Sequence, residues 1–430
     1  MLALPRLAGA GPSAESLSLQ EAVARALARN PDVQAARSDV AQAGAQLVIA
    51  RQVANPTLSA STSKIPTDGS PAGTSMGNGF FERSYDTVVS LEQPLEIGGK
   101  RRNRRLSAEA ALAAANARLR DVERATGNAV ARAYVAALVA GESAGIARAT
   151  AASLSRSSEL AKVRFDAGDI SASDRLQIEI AEGRFRADAE TAEGNARTSL
   201  VTLAVLMGAA GDSGQAPPLR PSDSLQALSV AALASEVPPP GTEKAPELIE
   251  RRPDVESARR NVDKAEADRS LQLAFRIPDP TILVQYEREP PDRPNSAGVA
   301  VSFPLPLFNR NAGAIQAAGA AREASRTELQ RVRSRAAGEI AAASTSLETA
   351  RRRVRALAGE LLEKARQVRD TVAFAWREGG ASLLELLEAE RSLNDLELAA
   401  ATARGDLIQA AADERAARGL LPLEDPREKR

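Results

Sequence analysis

The stretch FAWREGGASLLELLEAERSLN, residues 374–394, joins two long helical patterns through a short turn. Its Glu-Gly-Gly-Ala-Ser segment suits a reversal, because glycine adopts the positive backbone angles that end a helix and Ser382 is a residue type that caps the next one. Leucines then recur at the spacing of one helix face: Leu383, Leu384, Leu386, Leu387 and Leu393. Glu385 and Glu388 fall on the opposite face. The sequence predicts a hairpin tip with an acidic stripe, although a solvated helix face is the alternative for such a pair alone.

The composition excludes several chemistries. The chain has 430 residues, with 56 Lys and Arg against 56 Asp and Glu, and it contains neither cysteine nor histidine. A disulfide, a thiolate nucleophile, a Ser-His-Asp triad and a Cys/His zinc site are therefore impossible. The neutral balance gives no electrostatic case for nucleic acid. Any metal contact has to use carboxylates, carbonyls or methionine, and we expect no cofactor, no resident metal and no enzymatic activity.

The same composition favours long helices over a conventional globular core. Aromatic residues make up only 3% of the chain, whereas alanine, leucine, arginine and glutamate abound. The sequence lacks an apolar run of about eighteen residues, so we expect no membrane-spanning helix. The first 16 residues lack the charged start and long apolar segment of a secretion signal, which favours a mature or trimmed form.

Internal similarity indicates two copies of one unit, about 210 to 225 residues apart. The matching pairs are NPDV at 30–33 with RPDV at 252–255, SLEQPL at 90–95 with SFPLPL at 302–307, and FDAGDIS at 165–171 with WREGGAS at 376–382. This spacing is too long for a solenoid repeat. The chain is therefore interpreted as a tandem duplication.

Each copy is predicted to have the same order: a helix, two extended pieces around a loop, a very long helix, a glycine turn and a returning helix. The predicted bounds in the first copy (17–207) are a helix over 17–54 broken at Asn30-Pro31, a β-hairpin over 57–94, a helix over 100–165, a tip near 165–174 and a helix over 171–207. Those in the second copy (246–418) are a helix over 246–275, a β-hairpin over 281–304, a helix over 312–375, a tip near 376–385 and a helix over 382–418. A helix of about 65 residues is roughly 100 Å long.

The remaining segments connect or flank the copies. Residues 208–245 are rich in proline and predict a linker along the surface, with a weak helix at 224–235. Residues 1–16 and 419–430 are interpreted as tails.

The extended pieces are about eight to ten residues long, which matches a tilted strand that crosses a bilayer. Ile282, Val284 and Tyr286 alternate with less apolar neighbours. Ordinary soluble hairpins are the alternative on this pattern alone. Lipid requires a closed barrel, and four strands cannot close one by themselves. Membrane strands therefore imply an oligomer whose copies complete the barrel together.

The order of elements over about 17–418 resembles the TolC-like outer membrane factors. The specific pieces are LSLQEAVARALARNPDVQAAR, LEQPLEIGGKRR, VRFDAGDISASDRLQIE and ASLLELLEAE. The segment LEQPLEIGGKR is especially similar to the branch that serves heavy-metal cation exporters of the resistance-nodulation-division (RND) class.

The resemblance implies a mainly α fold with a small β part, assembled as a homotrimer. Three chains would contribute four strands each to a twelve-stranded barrel in the outer membrane of a Gram-negative bacterium. Their long helical hairpins would form a periplasmic α-barrel, with a periplasmic adaptor and an inner-membrane RND transporter docked at the tips.

The resemblance also assigns site residues. Glu385 and Glu388 fall on the family's gate motif, where two aspartates ring the periplasmic constriction; a ring of like charges is expected to raise some of their pKa values and to favour cations. Asp174 and Trp376 fall on the network that latches the closed tip. The family's latch arginine aligns with Ala381, which puts the latch in doubt, and Arg377 is the candidate substitute. The turns at Gly168-Asp169 and Gly379-Gly380 resemble the adaptor contacts.

A basic cluster opens the first long helix: Lys100, Arg101, Arg102, Arg104 and Arg105. Basic residues at a membrane edge contact lipid phosphates, and a solvated helix start is the alternative. The preceding Gly98-Gly99 lacks the spacing of a phosphate loop.

These observations favour a passive outer-membrane exit duct, with heavy-metal cations as the substrate class. A duct for drugs and small organic molecules, or for protein secretion, is the alternative within the family. A soluble periplasmic coiled-coil adaptor or scaffold is the alternative of another class, but no domain of many short strands is visible.

Overall fold

The computed structural model describes residues 15–63, 86–209, 219–234, 245–289 and 293–421. The first hairpin loop at 65–84, most of both predicted tails and parts of the predicted linker lie outside the described residues. In chain order the elements are β1 Glu15–Leu17, α1 Leu19–Arg29, α2 Pro31–Arg51, β2 Thr57–Ser63, β3 Asp86–Pro94, α3 Lys100–Asp166, α4 Ala172–Leu206, β4 Leu219–Pro221, α5 Leu225–Ala234, α6 Ala245–Arg251, α7 Pro253–Ala274, β5 Thr281–Glu289, β6 Arg293–Ser302, α8 Ala312–Leu357, α9 Glu360–Arg377 and α10 Leu383–Ala417.

The predicted order of elements recurs in both halves of the chain. The predicted break at Asn30-Pro31 is present, and Asn30 takes an extended conformation between α1 and α2. Arg252-Pro253 interrupts the second copy in the same way, between α6 and α7. The sequence analysis did not predict that second break, although proline disfavours helical angles at the preceding residue in both places.

The second long helix was predicted as continuous over 312–375, and this was wrong. It consists of α8 and α9, which are separated by Ala358 and Gly359. Gly359 leaves the helical region, with φ −104° and ψ −128°, and glycine is the residue least costly to place in such a conformation. The first long helix, α3, runs without a break for 67 residues.

The chain forms two compact units that cut across the two repeats. Unit one takes the described residues of Met1–Ser38, Ala117–Glu256 and Val332–Arg430, and unit two takes Asp39–Asn116 and Ser257–Arg331. Both repeats therefore contribute to each unit. Unit one holds the helices around the two hairpin tips, and unit two holds the four long strands.

The core of unit one includes a segment that was predicted to run over the surface. Leu219 and Leu225 are buried, and the short strand β4 pairs in parallel with β1. The Tyr134 hydroxyl of α3 lies 2.8 Å from the carbonyl oxygen of Leu17 and 2.8 Å from the Asp223 carboxylate. Burial raises the pKa of this hydroxyl. The linker is therefore partly a core element, which a proline-rich sequence did not reveal.

The expectation that no helix is long and apolar enough to span a membrane also needs correction. Within α3, an 18-residue window reaches a mean hydropathy of 1.3, which suffices by length and composition. The same helix supplies Val130 and Tyr134 to the core of unit one. Within the structure 33% of that window is buried, so packing inside the chain covers only part of its apolar surface.

Unit two contains one antiparallel sheet of order β2-β3-β5-β6. The two predicted hairpins are joined by pairing between β3 and β5, with Leu91 opposite Val284. Among the described residues, β2 and β6 each have a neighbour on one side only. Such open edges present unpaired backbone groups and call for further strands.

Candidate functional site

The sheet of unit two has one apolar and one polar face. Residues opposite each other in antiparallel strands point to the same side, so the register defines both faces. One row reads Leu58, Leu91, Val284 and Val299, and the next reads Ala60, Val89, Tyr286 and Ala297. The alternate rows read Ser59, Ser90, Gln285 and Gly298, then Ser61, Val88, Glu287 and Ser296.

No described residue covers the apolar face of the sheet. Leu58 is 71% exposed and Val299 is 75% exposed. On the polar face, the hydroxyl groups of Ser59 and Ser90 lie 2.7 Å apart and form a cross-strand hydrogen bond. A sheet with these two faces fits a wall between lipid and water, as in outer-membrane barrels whose strands alternate apolar and polar side chains.

The two hairpin tips in unit one use the same backbone chemistry. Gly168 and Gly379 have positive φ angles of 84° and 82°. The next residue in each turn donates a backbone hydrogen bond to the carbonyl five positions earlier, from Asp169 to Arg164 at 2.8 Å and from Gly380 to Ala375 at 2.7 Å. Both turns therefore end their helix with the same Schellman arrangement.

Each tip then starts its returning helix with a capping box. In the first tip, Ser171 and Asp174 exchange hydrogen bonds between side chain and backbone. In the second, Ser382 and Glu385 do the same. Asp174 and Glu385 thus occupy equivalent positions in the two repeats and have the same local role, which satisfies backbone donors at the helix start.

The tips are fastened by one small core around Trp376. The indole is buried at 3% exposure and packs with Ala161, Ile178, Leu383 and Leu386 from both hairpins.

Arg164 of the first hairpin caps this core. Its guanidinium lies 5.5 Å from the Trp376 ring centre and donates a 2.8 Å hydrogen bond to the Trp376 carbonyl oxygen. A cation over an indole face is a favourable contact. The sequence analysis missed Arg164; the available signal was an arginine one turn before the glycine.

The three predicted latch residues take separate positions within the chain. Trp376 forms the tip core, whereas Asp174 caps α4. The Arg377 guanidinium lies over the Phe374 ring at 5.9 Å and donates to the Ala373 carbonyl oxygen. In the described chain, Arg164 rather than Arg377 is the arginine on Trp376.

Both predicted gate carboxylates are exposed, but their surroundings differ. The Glu385 carboxylate accepts hydrogen bonds from the Ser382 backbone at 2.7 Å and the Ser382 hydroxyl at 2.9 Å. The backbone bond, followed by the hydroxyl bond, lowers the pKa of Glu385. Glu388 instead lines an open groove between α9 and α10, together with Ser392 and Asp395. Glu385 is therefore occupied in capping the start of α10, whereas Glu388 lines the groove.

One predicted member of the buried stripe is misplaced. Leu383, Leu386 and Leu393 are buried as expected. Leu384 is 72% exposed. It lies on the side of α10 that faces away from the tip core, which contains Leu383 and Leu386. The turn residues predicted as adaptor contacts, Gly168, Asp169, Gly379 and Gly380, are all exposed.

The basic cluster is largely used inside unit two. Lys100 is buried, and its ammonium donates to the Ile277 carbonyl oxygen at 2.6 Å and pairs with Asp279 at 2.7 Å. Arg101 and Arg104 donate to the last carbonyls of α2, at Arg51 and Ala50.

Arg105 lies 3.5 Å from Glu109 and Arg102 is exposed. The predicted contact with lipid phosphates therefore rests on Arg102 and Arg105 alone. Among the described residues, no group of three acidic side chains converges on a point that would hold a metal ion.

Comparison with known proteins agrees with this architecture. The model of the family described as "Outer membrane efflux protein" matches residues 22–209 and 245–419, which nearly coincide with the two repeats. The chain therefore belongs to the outer membrane efflux protein family. It is a channel-type component of the outer membrane, with a portion in the periplasm.

Individual relatives are more distant. The chain is 24% identical to the cobalt-zinc-cadmium resistance protein CzcC of Cupriavidus metallidurans over 402 residues, covering 94% of this chain and 89% of CzcC. It is 29% identical to the pyoverdine export outer membrane protein OpmQ of Pseudomonas aeruginosa over 269 residues, covering 61% of this chain and 54% of OpmQ. The solved structure of CusC superposes with a TM-score of 0.76 at 19% identity, covering 94% of this chain and 92% of that one.

Proposed function

We propose that the chain is the exit duct of a tripartite RND efflux system and passes heavy-metal cations through the outer membrane. The observation that carries the duct is the sheet with one apolar and one polar face and two open edges. Pairing of copies edge to edge would give every strand two neighbours and place the apolar face toward lipid.

Three copies fit this proposal better than two. Two copies would give a barrel of about eight strands, whose interior side chains fill the available space. Three copies would give twelve strands and leave a lumen lined by the polar face. Small side chains such as Ser59, Ser90 and Gly298 on that face suit an open passage.

Metal cations are supported by the relative CzcC and by the chemistry of the chain. Carboxylates and carbonyls bind transition metals less tightly than imidazole and thiolate do. A chain without histidine and cysteine would therefore release such ions readily, as a conduit must. Export of small organic molecules is the second candidate, because OpmQ is named for pyoverdine export.

The gate would lie at the hairpin tips, with Glu388 as its main carboxylate. Glu385 is engaged by Ser382 at the start of α10, whereas Glu388 faces the groove. Symmetry-related copies would bring these carboxylates together, and an acidic ring favours the passage of cations. The exposed turns at Gly168-Asp169 and Gly379-Gly380 would receive the periplasmic adaptor, and the inner-membrane pump would supply the energy.

Planar-bilayer recording tests the duct and its gate together. Wild-type protein should give a cation-selective conductance, and Glu388→Gln should shift the reversal potential toward nonselectivity, with a larger shift in the Glu385→Ala/Glu388→Ala double variant. Glu348→Gln is the matched control, because Glu348 is an exposed carboxylate on α8 paired only with Arg352 among the described residues.

Three outcomes would contradict the proposal. Unchanged selectivity in the double variant would remove the gate assignment. A stable lone chain in detergent micelles, measured by native mass spectrometry, would remove the duct. A channel that carries organic anions but not Zn²⁺ would favour the second candidate over metal export.

A further inference from the structure

Glu390 is a buried acidic residue on α10, the helix that carries both gate candidates. It is only 3% exposed. The Ser153 hydroxyl of α3 donates a 2.8 Å hydrogen bond to its carboxylate. The guanidinium of Arg369 on α9 lies 3.7 Å from the same carboxylate oxygen. Glu390 therefore connects three helices, which belong to both hairpins.

A second polar contact lies one helical turn further along α10. Asn394 is also buried, and the Thr150 hydroxyl of α3 donates a 3.2 Å hydrogen bond to its side-chain carbonyl oxygen. Residues three and four positions apart are neighbours on a helix, so positions 390 and 394 share one stripe of α10 and positions 150 and 153 share one stripe of α3. The two stripes meet in a polar seam between the hairpins.

The first repeat is different at the equivalent position. Glu179 corresponds to Glu390 when the two hairpin tips are aligned. It is partly exposed, and its carboxylate lies 3.7 Å from Arg175 of its own helix. Among the described helices that return from a tip, α10 is thus the one that buries this carboxylate against the other hairpin. The needs of a returning helix alone do not explain Glu390.

The seam restricts movements that its apolar surroundings would permit. Apolar contacts are non-directional, so a face of small and aliphatic side chains tolerates a slight rotation or sliding of the helix. A hydrogen bond is directional, and a buried carboxylate without its partners is costly. Buried polar residues fix the register of paired helices in coiled coils for this reason. The apolar neighbours on the same side of α10 are Leu386, Ala389 and Leu393.

We propose that Glu390, together with Asn394, is a positioning residue that fixes the rotation and height of α10 against α3. Glu388 lies two positions before Glu390, about 200° away around a helix of 3.6 residues per turn. Contact of Glu390 with Ser153 therefore turns Glu388 to the opposite side, where it is exposed and lines the groove beside Ser392. The positioning stands on these contacts, whereas its consequence for cation passage rests on the proposed gate at Glu388.

Thiol labelling measures the rotation of α10 directly. The chain contains no cysteine, so a single introduced cysteine reports on one position. Ser392→Cys lies on the exposed groove side of α10, and Leu393→Cys lies on the buried side. A polar maleimide should label position 392 much faster than position 393 in the otherwise unchanged full chain in detergent. The ratio of these two rates is the measurement.

Glu390→Leu should lower this ratio about tenfold, the population shift expected when a hydrogen bond to a charged group is lost. Stability to urea should stay the same or rise, because an apolar residue of similar volume often replaces a buried ion without loss. Ser153→Ala should lower the ratio as well, whereas Ser153→Thr keeps a hydroxyl and should keep the wild-type ratio. Glu179→Leu is the matched control in the first repeat and should leave the ratio unchanged.

An unchanged ratio in Glu390→Leu would overturn the inference even if stability fell, because the residue would then be merely structural. If that variant does not fold, Ser153→Ala decides in its place.

Planar-bilayer recording reads the functional consequence. Glu390→Leu should weaken cation selectivity although Glu388 is still present. A lowered labelling ratio with normal selectivity in both Glu390→Leu and Glu388→Gln would uphold the positioning role and remove the gate. A loss of selectivity in Glu388→Gln but not in Glu390→Leu would overturn the link between the seam and the gate.

Discussion

The two repeats end their hairpins with the same backbone devices and fasten them with different side chains. Both tips have a Schellman turn and a capping box. Only the second places a fully buried indole at the turn, since Phe165 at the equivalent position is half-buried and Trp376 is buried. The comparison shows that nearby residues determine where each helix ends. How firmly each hairpin tip is held depends instead on the side chains from other helices that pack against it.

A second pair of equivalent positions shows the same contrast. Asn30 is buried and donates a 2.9 Å hydrogen bond to the Leu206 carbonyl oxygen at the end of α4. Arg252 is fully buried and donates a 2.8 Å hydrogen bond to the Ala417 carbonyl oxygen at the end of α10. In the first repeat the neutral amide of Asn30 satisfies the last carbonyl of α4. In the second repeat the charged guanidinium of Arg252 does so for α10, and a buried charge needs carboxylates of opposite charge nearby.

That compensation comes from Asp254 and Glu339, at 2.8 and 2.7 Å from Arg252. Burial alone would raise the pKa of Asp254, but the hydrogen bonds and charge of Arg252 outweigh it and lower that pKa. Burial alone would lower the pKa of Arg252, and its bonds to the two carboxylates raise it instead. The second repeat is thus closed by an ionic cluster in which Arg252 and Asp254 are buried and Glu339 is exposed.

The largest expected effect comes from breaking this cluster. Arg252→Ala should lower the free energy of unfolding by about 3–5 kcal/mol. The buried Asp254 carboxylate then loses both hydrogen bonds from Arg252 and retains only the more distant Arg335, at 3.8 Å. Asn30→Ala should cost only about 1–3 kcal/mol, the penalty for an unsatisfied neutral group. Urea unfolding in detergent, followed by circular dichroism, measures both; equal losses would contradict the distinction between the two junctions.

The next largest effect concerns the buried aromatic of the second tip. Trp376→Ala should reduce stability by about 3–5 kcal/mol, as for other large core truncations, and Phe165→Ala should cost less because Phe165 is half-buried. Hydrogen exchange of peptides from both tips measures the change. Phe374→Ala is the control, since Phe374 is 59% exposed on the same helix; equal exchange in all three variants would refute a core centred on Trp376.

A smaller effect should be shared by the repeats. Ser171→Ala and Ser382→Ala each remove one capping box, at a cost of about 0.5–2 kcal/mol, and the two losses should agree because the local geometry is the same. Helix-start amides should exchange faster in each variant. Ser392→Ala, an exposed serine further along α10, should leave them unchanged, and a clear difference between the two caps would show that tertiary packing alters them.

The smallest effect is a pH dependence of the second tip. The pKa of Glu385 is lowered from its ordinary value of 4.5 by its hydrogen bonds to Ser382. The stability that ionised Glu385 gives the second tip is therefore present above pH 4.5 and is lost as the pH falls through the lowered pKa. The difference in tip exchange between wild type and Glu385→Gln should shrink on acidification. A difference that grows on acidification would mean that the pKa is raised.

Much of this architecture followed from sequence because it depends on local chemistry. Proline at position 31, glycine at 168 and 379, and serine before the returning helices marked helix ends in the sequence. Pro253 marks one by the same chemistry, but the sequence analysis overlooked it. The alternation in β5 and β6 indicated strands for the same reason. The gate residues were placed by resemblance, and only the structure distinguished Glu385, bound to Ser382, from Glu388, which faces the groove.

What the sequence did not reveal depends on contacts between distant segments. Arg164 meets Trp376 across 212 positions, and Lys100 meets Ile277 across 177. Neither pair leaves a periodic signal, because an arginine or lysine at a helix end has the same local preference with or without a partner. The basic cluster was therefore assigned to lipid, although three of its members satisfy carbonyls and a carboxylate inside the protein.

The sequence by itself indicated most of the long helices and strands, the similarity of the two halves of the chain, and which chemistries are impossible. Those properties reside in backbone preferences and residue identities, which act over a few positions. Only the tertiary structure decided which face of the sheet is apolar as a whole, which charged groups are engaged and which remain exposed. These depend on register and packing, where residues far apart in sequence compete for the same partners.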